Sequence, residues 1–120
     1  MMRRFGPVAV LLVGIGAQGF AAAPADAASF ACSKASKPDE IAICGNLSLN
    51  DQDVVMATLY QTLLPLLAMG SAGATRDAQK AWLARRQACR ADTSCLAAAY
   101  ADRIAALKAQ FATIAAGGPY

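Results

Sequence analysis

The stretch that decides the fold is Cys89-Arg90-Ala91-Asp92-Thr93-Ser94-Cys95. A second pair of cysteines, Cys32 and Cys44, brackets a short segment that contains the acidic pair Asp39-Glu40. Four cysteines in a short chain indicate a disulfide framework if the protein folds in an oxidising compartment. The sequence alone permits other pairings, but we predict Cys32–Cys44 and Cys89–Cys95, because each pair lies beside a predicted helix end. On the chain-entropy account, the first bridge would stabilise the fold by about 3 kcal/mol and the second by slightly less.

The N-terminus indicates such a compartment. A basic pair precedes an apolar run over residues 8–16, and small residues follow. This is the layout of a secretory signal peptide, and the run is shorter than the roughly 20 apolar residues of a membrane span. We therefore expect residues 1–27 to be a signal peptide, cut after Ala27, and residues 28–120 to be the mature domain, periplasmic or secreted. The alternative is an uncleaved anchor helix.

Composition excludes several kinds of function. The whole chain has 11 basic and 8 acidic side chains, and loss of residues 1–27 would leave a net charge of +2. Such a small charge, without a basic run, does not favour nucleic acid as a partner. The chain has no histidine, which removes the usual general base and the commonest metal ligand. We predict no catalytic residue, no metal site and no cofactor.

The mature domain is predicted to be all-α, as a small disulfide-stapled antiparallel bundle of one short helix and three longer ones. Pro38 lies in the first turn of the short helix, and Gly45 is a typical end signal. A second helix is predicted over about 48–68. Pro65 should kink that helix or end it near Leu64, because proline cannot donate a backbone hydrogen bond.

The second half of the domain is predicted to be a helical hairpin. Residues 69–73 contain two glycines and are expected to form a loop. A third helix is predicted over about 75–90, and Asp92, Thr93 or Ser94 would cap the fourth. The apolar residues of that fourth helix follow a narrow stripe, typical of a bundle: Leu96, Tyr100, Ile104, Leu107, Phe111 and Ile114.

Several polar and aromatic residues are candidates for the interior. Arg86 follows Trp82 by one helical turn and shares its inward-leaning face. A buried arginine requires a carboxylate, and Asp53 on the facing helix is the candidate partner. We favour a structural ion pair that sets helix register over a binding role. Trp82 and Tyr100 are predicted to be core residues, and Tyr60 is expected to place its hydroxyl at the surface.

The polar turn between the last two cysteines is the best candidate for a binding surface. Arg90, Asp92, Thr93 and Ser94 offer charges and hydroxyls, and a short disulfide would lower the entropy cost of docking them. The simpler interpretation, which we favour on the sequence alone, is a stapled hairpin turn with no partner.

A series of residues in a fixed order spans most of the mature chain: Phe30, Cys32, Glu40, Ile43, Cys44, Leu49, Asp53, Met56, Tyr60, Gln79, Trp82, Leu83, Arg86, Cys89, Cys95, Tyr100, Arg103, Ile104 and Leu107. This series resembles the LprI-like N-terminal domain family of lysozyme inhibitors, a family of exported bacterial domains. The chain departs from the pattern at Gln52, where an apolar residue is expected, and at Pro65.

The resemblance implies a small exported helical domain that binds and inhibits lysozyme. Animal lysozymes are basic, so an acidic inhibitor face is expected, whereas this domain is mildly basic. We therefore hypothesise that Arg90 reaches the two catalytic carboxylates of the enzyme. The second interpretation is a non-catalytic structural or accessory module that binds another envelope protein. A hydrolase comes third, and would need two carboxylates about 5–9 Å apart.

Overall fold

The computed structural model describes residues 28–117, together with three isolated glycines at positions 6, 14 and 19. The predicted signal peptide otherwise lies outside the described residues, as do residues 118–120. The described chain is all-α, and the prediction of a small disulfide-linked helical bundle is confirmed. The helices are α1 (Pro38–Gly45), α2 (Leu47–Leu63), α3 (Met69–Ala88) and α4 (Thr93–Ala116), with short 3-10 turns at Cys32–Lys34 and Leu64–Leu66.

Local sequence signals explain most helix ends. The side chain of Asn46 accepts a hydrogen bond of 3.1 Å from the backbone N–H of Leu49 and so caps the start of α2. Pro65 lies in the 3-10 turn that follows α2, so α2 ends at Leu63 rather than continuing to residue 68. The proline-induced end expected near Leu64 is confirmed.

The predicted loop over residues 69–73 is wrong, because these residues form the first turns of α3. The N–H of Ala72 donates to the carbonyl of Ala68 over 2.8 Å, and Ala72 is buried. Both glycines lie in helical backbone, and a Cβ added at Gly70 or Gly73 would meet no atom within 4 Å. The burial of Ala72 has outweighed the low helix propensity of the two glycines.

The helices form a bundle around one core. Contacts along their lengths place α3 antiparallel to α2 and α4, and α2 packs mainly along α4, while α1 crosses one end of the bundle and contacts α2 and α3. The buried apolar cluster consists of Ile43, Leu49, Met56, Leu63, Trp82, Cys89, Leu96, Ala99, Tyr100 and Leu107. The predicted stripe of α4 supplies three of these residues, and its other members are half-buried. Within the described chain, no helix combines the length and the hydropathy that crossing a membrane would require.

Candidate functional site

The turn between α3 and α4, which we call the stapled tip (residues 89–95), is closed by a disulfide. Cys89 and Cys95 are bonded with Cα atoms 5.5 Å apart, as predicted. Asp92 caps α4, because its carboxylate accepts a hydrogen bond of 3.0 Å from the N–H of Cys95. The turn therefore has a covalent closure and a helix cap within the same few residues.

Arg90 has an unusual backbone conformation. Its φ is 53°, and no other residue of the described chain apart from glycine has a positive φ. The conformation is held in place by two backbone hydrogen bonds of 3.1 Å, from Arg90 N–H to the Gln87 carbonyl and from Asp92 N–H to the Cys89 carbonyl. A left-handed backbone disfavours residues with a Cβ, so glycine would be the residue of lowest strain here.

The four predicted binding residues are all exposed at this tip. Arg90 and Asp92 lie in the turn, whereas Thr93 and Ser94 already belong to the first turn of α4. Within the described residues, no carboxylate lies in ion-pair distance of Arg90. Its guanidinium is therefore available to an external partner, while the carboxylate of Asp92 is engaged in the helix cap.

A shallow groove of about 380 Å³ separates the stapled tip from the start of α1. Lys37 and Arg90 are the cations of this groove, and both are exposed. The carboxylate of Glu40 accepts hydrogen bonds from the backbone N–H groups of Ser36 (3.1 Å) and Lys37 (3.3 Å). These two amide donors lower the pKa of Glu40. Glu40, a member of the residue series that resembles the LprI-like family, thus caps the start of α1 beside Lys37.

Beneath the groove lies a buried ionic cluster. The Nε of Arg86 donates to Asp39 Oδ2 over 2.9 Å, and its Nη1 lies 3.7 Å from Asp53 Oδ1. The hydroxyl of Tyr100 donates to the same Asp53 oxygen over 2.7 Å. Burial and the Asp53 carboxylate both raise the pKa of the Tyr100 hydroxyl, so this group remains a neutral donor. The expected contact between Arg86 and Asp53 is present, but Asp39 is the closer partner.

Aromatic rings enclose this cluster. The Arg86 guanidinium lies 5.4 Å from the ring centroid of Phe30 and 5.8 Å from that of Trp82. Trp82 meets the ring of Tyr100 edge-on, with centroids 5.1 Å apart, and its indole N–H donates to the Ala99 carbonyl over 2.8 Å. Trp82 and Tyr100 lie in the core, where their polar atoms have hydrogen-bond partners. Arg86 consequently serves as the centre of a structural cluster.

A second buried arginine, Arg103, lies on α4. Arg103 donates to Gln79 Oε1 over 2.8 Å and to the Thr75 carbonyl over 3.3 Å. Burial lowers the pKa of Arg103. No residue in the described chain forms an ion pair with Arg103.

Tyr60, whose hydroxyl was expected at the surface, is half-buried. It lies in a groove of about 390 Å³ between α2 and α3, which it shares with Gln79 and Lys80.

The carboxylates with least exposure, Asp39 and Asp53, are occupied by Arg86. Over residues 28–117, acidic and cysteine side chains form no group able to hold a metal ion. The second disulfide, Cys32–Cys44, ties the N-terminal segment to α1 with Cα atoms 5.7 Å apart, as predicted.

Comparison with known families agrees with the residue series. A family model described as lysozyme inhibitor LprI matches residues 32–114, which is most of the chain. The chain belongs to the LprI family. No curated protein and no solved structure matches it. The matched range contains both disulfides, the residues of the ionic cluster at Arg86 and the stapled tip.

Two features of this LprI-family domain were missed by sequence reasoning. The contact of Asp39 with Arg86 depends on how α1 packs against α3. The position of Lys37 across the groove from Arg90 depends on where α1 begins relative to the stapled tip. Neither role has a local signal, because both arise where separate helices meet.

Proposed function

We propose that this LprI-family chain is an exported, non-catalytic envelope protein that binds and inhibits lysozyme through its stapled tip. Membership of a family described as lysozyme inhibitors supports the target. Two disulfides support folding in an oxidising compartment outside the cytoplasm. The N-terminal layout of residues 1–27 supports export by a cleaved signal peptide.

The positive φ of Arg90 is the observation that carries this proposal. Strained backbone at an exposed residue points to a functional role for its side chain, because a less strained residue would otherwise serve. The disulfide and the cap on Asp92 hold this conformation before any partner arrives. Binding would then require little further ordering of the turn, which favours affinity.

The charges around the tip fit a cleft that contains carboxylates. Lysozyme uses two carboxyl groups about 5 Å apart, and a planar guanidinium can pair with such groups through parallel hydrogen bonds. Arg90 would enter the substrate cleft, and Lys37 would add positive charge at its rim. Because the expected net charge of the mature domain is small, this local contact, rather than a general charge attraction, would determine recognition.

The decisive variant is Arg90→Gly. Glycine relieves the left-handed strain, so we expect the variant to unfold at the same temperature as the wild type or a higher one. Loss of the guanidinium should weaken inhibition of lysozyme by about 10- to 100-fold, the range expected for a charged hydrogen bond. The measurements are thermal unfolding and the inhibition constant against cell-wall substrate, where inhibition should be competitive.

Arg76→Ala is the matched control, since Arg76 is an exposed cation on the middle of α3, away from the tip. We expect it to leave the inhibition constant unchanged. Arg90→Lys should have an intermediate effect, because it keeps the charge and loses the planar fork. The proposal fails if the mature domain in micromolar excess does not slow lysozyme, or if Arg90→Gly inhibits as well as the wild type.

A second candidate function is a non-catalytic interaction module, and exposed apolar side chains favour it. Leu47 is 78% exposed, and Val54 is 39% exposed seven residues later on α2. Residues at this spacing share a helix face, so they could contact a second copy or another envelope protein. Light scattering over a range of protein concentrations tests self-association, and a monomer at all concentrations would argue against a second copy as the partner.

A further inference from the structure

The ionic cluster at Arg86 contains more negative than positive charge. Asp39 and Asp53 are 1% and 0% exposed, and they share one guanidinium. Over residues 28–117, no other cationic side chain lies within ion-pair distance of either carboxylate. A buried charge without a counter-charge is costly, so the cluster has a place for a second cation.

The start of the expected mature domain lies beside Asp53. The backbone N–H of Ser29 donates to Asp53 Oδ2, and the ring of Phe30 covers Arg86. Ala28 is half-buried and packs against the core. Covalent geometry places the nitrogen of Ala28 within about 4 Å of the Ser29 nitrogen, and therefore close to the Asp53 carboxylate.

We propose that cleavage of the bond between Ala27 and Ala28 creates the missing cation, and that the new α-ammonium of Ala28 pairs with Asp53. Hydrolysis of this amide leaves a carboxylate on Ala27 and an amine on Ala28, which takes up a proton. Before cleavage the same nitrogen is a neutral amide and carries no charge. Processing therefore completes the buried cluster. This inference rests on the export signal proposed above and is independent of lysozyme inhibition.

The pairing has a defined pH dependence. The Asp53 carboxylate should raise the pKa of the Ala28 α-amino group above its ordinary value of about 7.7–8.0. Of the other groups in the cluster around Asp53, the charge of Asp39 reinforces this effect, the charge of Arg86 opposes it, and the Tyr100 hydroxyl is neutral. Because the folded pKa is raised, the added stability is present below about pH 8 and is lost as the pH rises through the folded value.

The experiment compares two exported proteins. One is the natural full chain, and the other carries Gly-Ser inserted between Ala27 and Ala28, which moves the new amine away from Asp53. Intact mass identifies each mature N-terminus, and an NMR titration gives each α-amino pKa. We expect the natural protein to start at Ala28, with its α-amino pKa raised by about one unit. It should also unfold several degrees higher than the insertion variant at pH 7, with the difference lost above about pH 10.

Asp53→Asn should return the α-amino pKa to its ordinary value, whereas the exposed neighbour Asp51→Asn is the matched control and should not change it. If Asp53→Asn does not fold, the comparison with the insertion variant decides. A mature start at another residue, or an α-amino pKa no higher than in the insertion variant, overturns the inference. Retention of residues 1–27 would count against export, whereas a start at Ala28 with an ordinary pKa would count against the docking alone.

Discussion

Arg86 and Arg103 are both buried, at 4% and 6% exposure, but they are held by different chemistry. Two carboxylates surround Arg86, whereas Arg103 contacts the amide oxygen of Gln79 and the backbone carbonyl of Thr75. A carboxylate that loses its cation leaves a buried charge, whereas a neutral acceptor leaves only a missing hydrogen bond. The surroundings of each arginine, rather than its burial, should therefore decide how much the fold depends on it.

The two ends of the bundle also differ in the links that hold them together. The end near Arg86 contains both disulfides and the crossing helix α1. The opposite end has a groove of about 370 Å³ lined mainly by small and apolar side chains, among them Leu67, Ser71 and Ile114. Covalent and ionic constraints are thus concentrated at the end that carries the stapled tip.

The largest expected effect comes from Arg86→Met. Methionine fills similar space but removes the guanidinium that contacts both Asp39 and Asp53, so the free energy of unfolding should fall by about 3–5 kcal/mol. Denaturant-induced unfolding measures this change. The neighbouring Arg85→Met removes an exposed ion pair with Asp102 and should cost less than about 1 kcal/mol. Similar losses for both variants would contradict the ionic account of this end.

A smaller effect is expected for Arg103→Met. The variant leaves Gln79 Oε1 without its donor, but it also removes a cation that is costly to bury. We expect the free energy of unfolding to fall by less than about 2 kcal/mol, under the same denaturant conditions as for Arg86→Met. A loss as large as that of Arg86→Met would remove the distinction between the two arginines.

The smallest effect, and one of opposite sign, is expected for Gly73→Ala in the first half of α3. The added Cβ meets no atom within 4 Å, and alanine restricts the unfolded chain more than glycine does. The variant should be more stable by about 0.5–1 kcal/mol, measured by thermal unfolding. Gly45→Ala is the control, because Gly45 is the last residue of α1, where helix propensity matters less. Destabilisation by Gly73→Ala would mean that this end requires a glycine backbone.

The sequence predicted features whose cause is local. Both disulfides, the helix end beside Pro65 and the cap on α4 each depend on a few neighbouring residues. The first turns of α3 were missed because two glycines suggested a loop. The burial of Ala72 favours a helix there, but it depends on tertiary contacts that the local sequence does not show. Local rules thus gave the helices, and errors arose where packing outweighed propensity.

The sequence predicted which residues form the candidate site, but it did not predict how they are arranged. Arg90 was singled out for its charge, yet no glycine or asparagine marked a left-handed backbone there. Asp39 reaches Arg86 only because α1 crosses the bundle. At Gln52, where an apolar residue was expected, the side-chain oxygen is buried without a hydrogen-bond partner. The fold therefore leaves this oxygen without the hydrogen bond that it would form in water.

The disulfide of the stapled tip also bears on resistance to proteolysis. Exposed turns are the usual places where proteases cut a folded protein. A cysteine pair at a sequence separation of 6 closes a ring with Cα atoms 5.5 Å apart, so the turn cannot extend without unfolding α3 or α4. Trypsin-like enzymes cut after basic residues, but they should consequently cleave the disulfide-bonded domain slowly at Arg90.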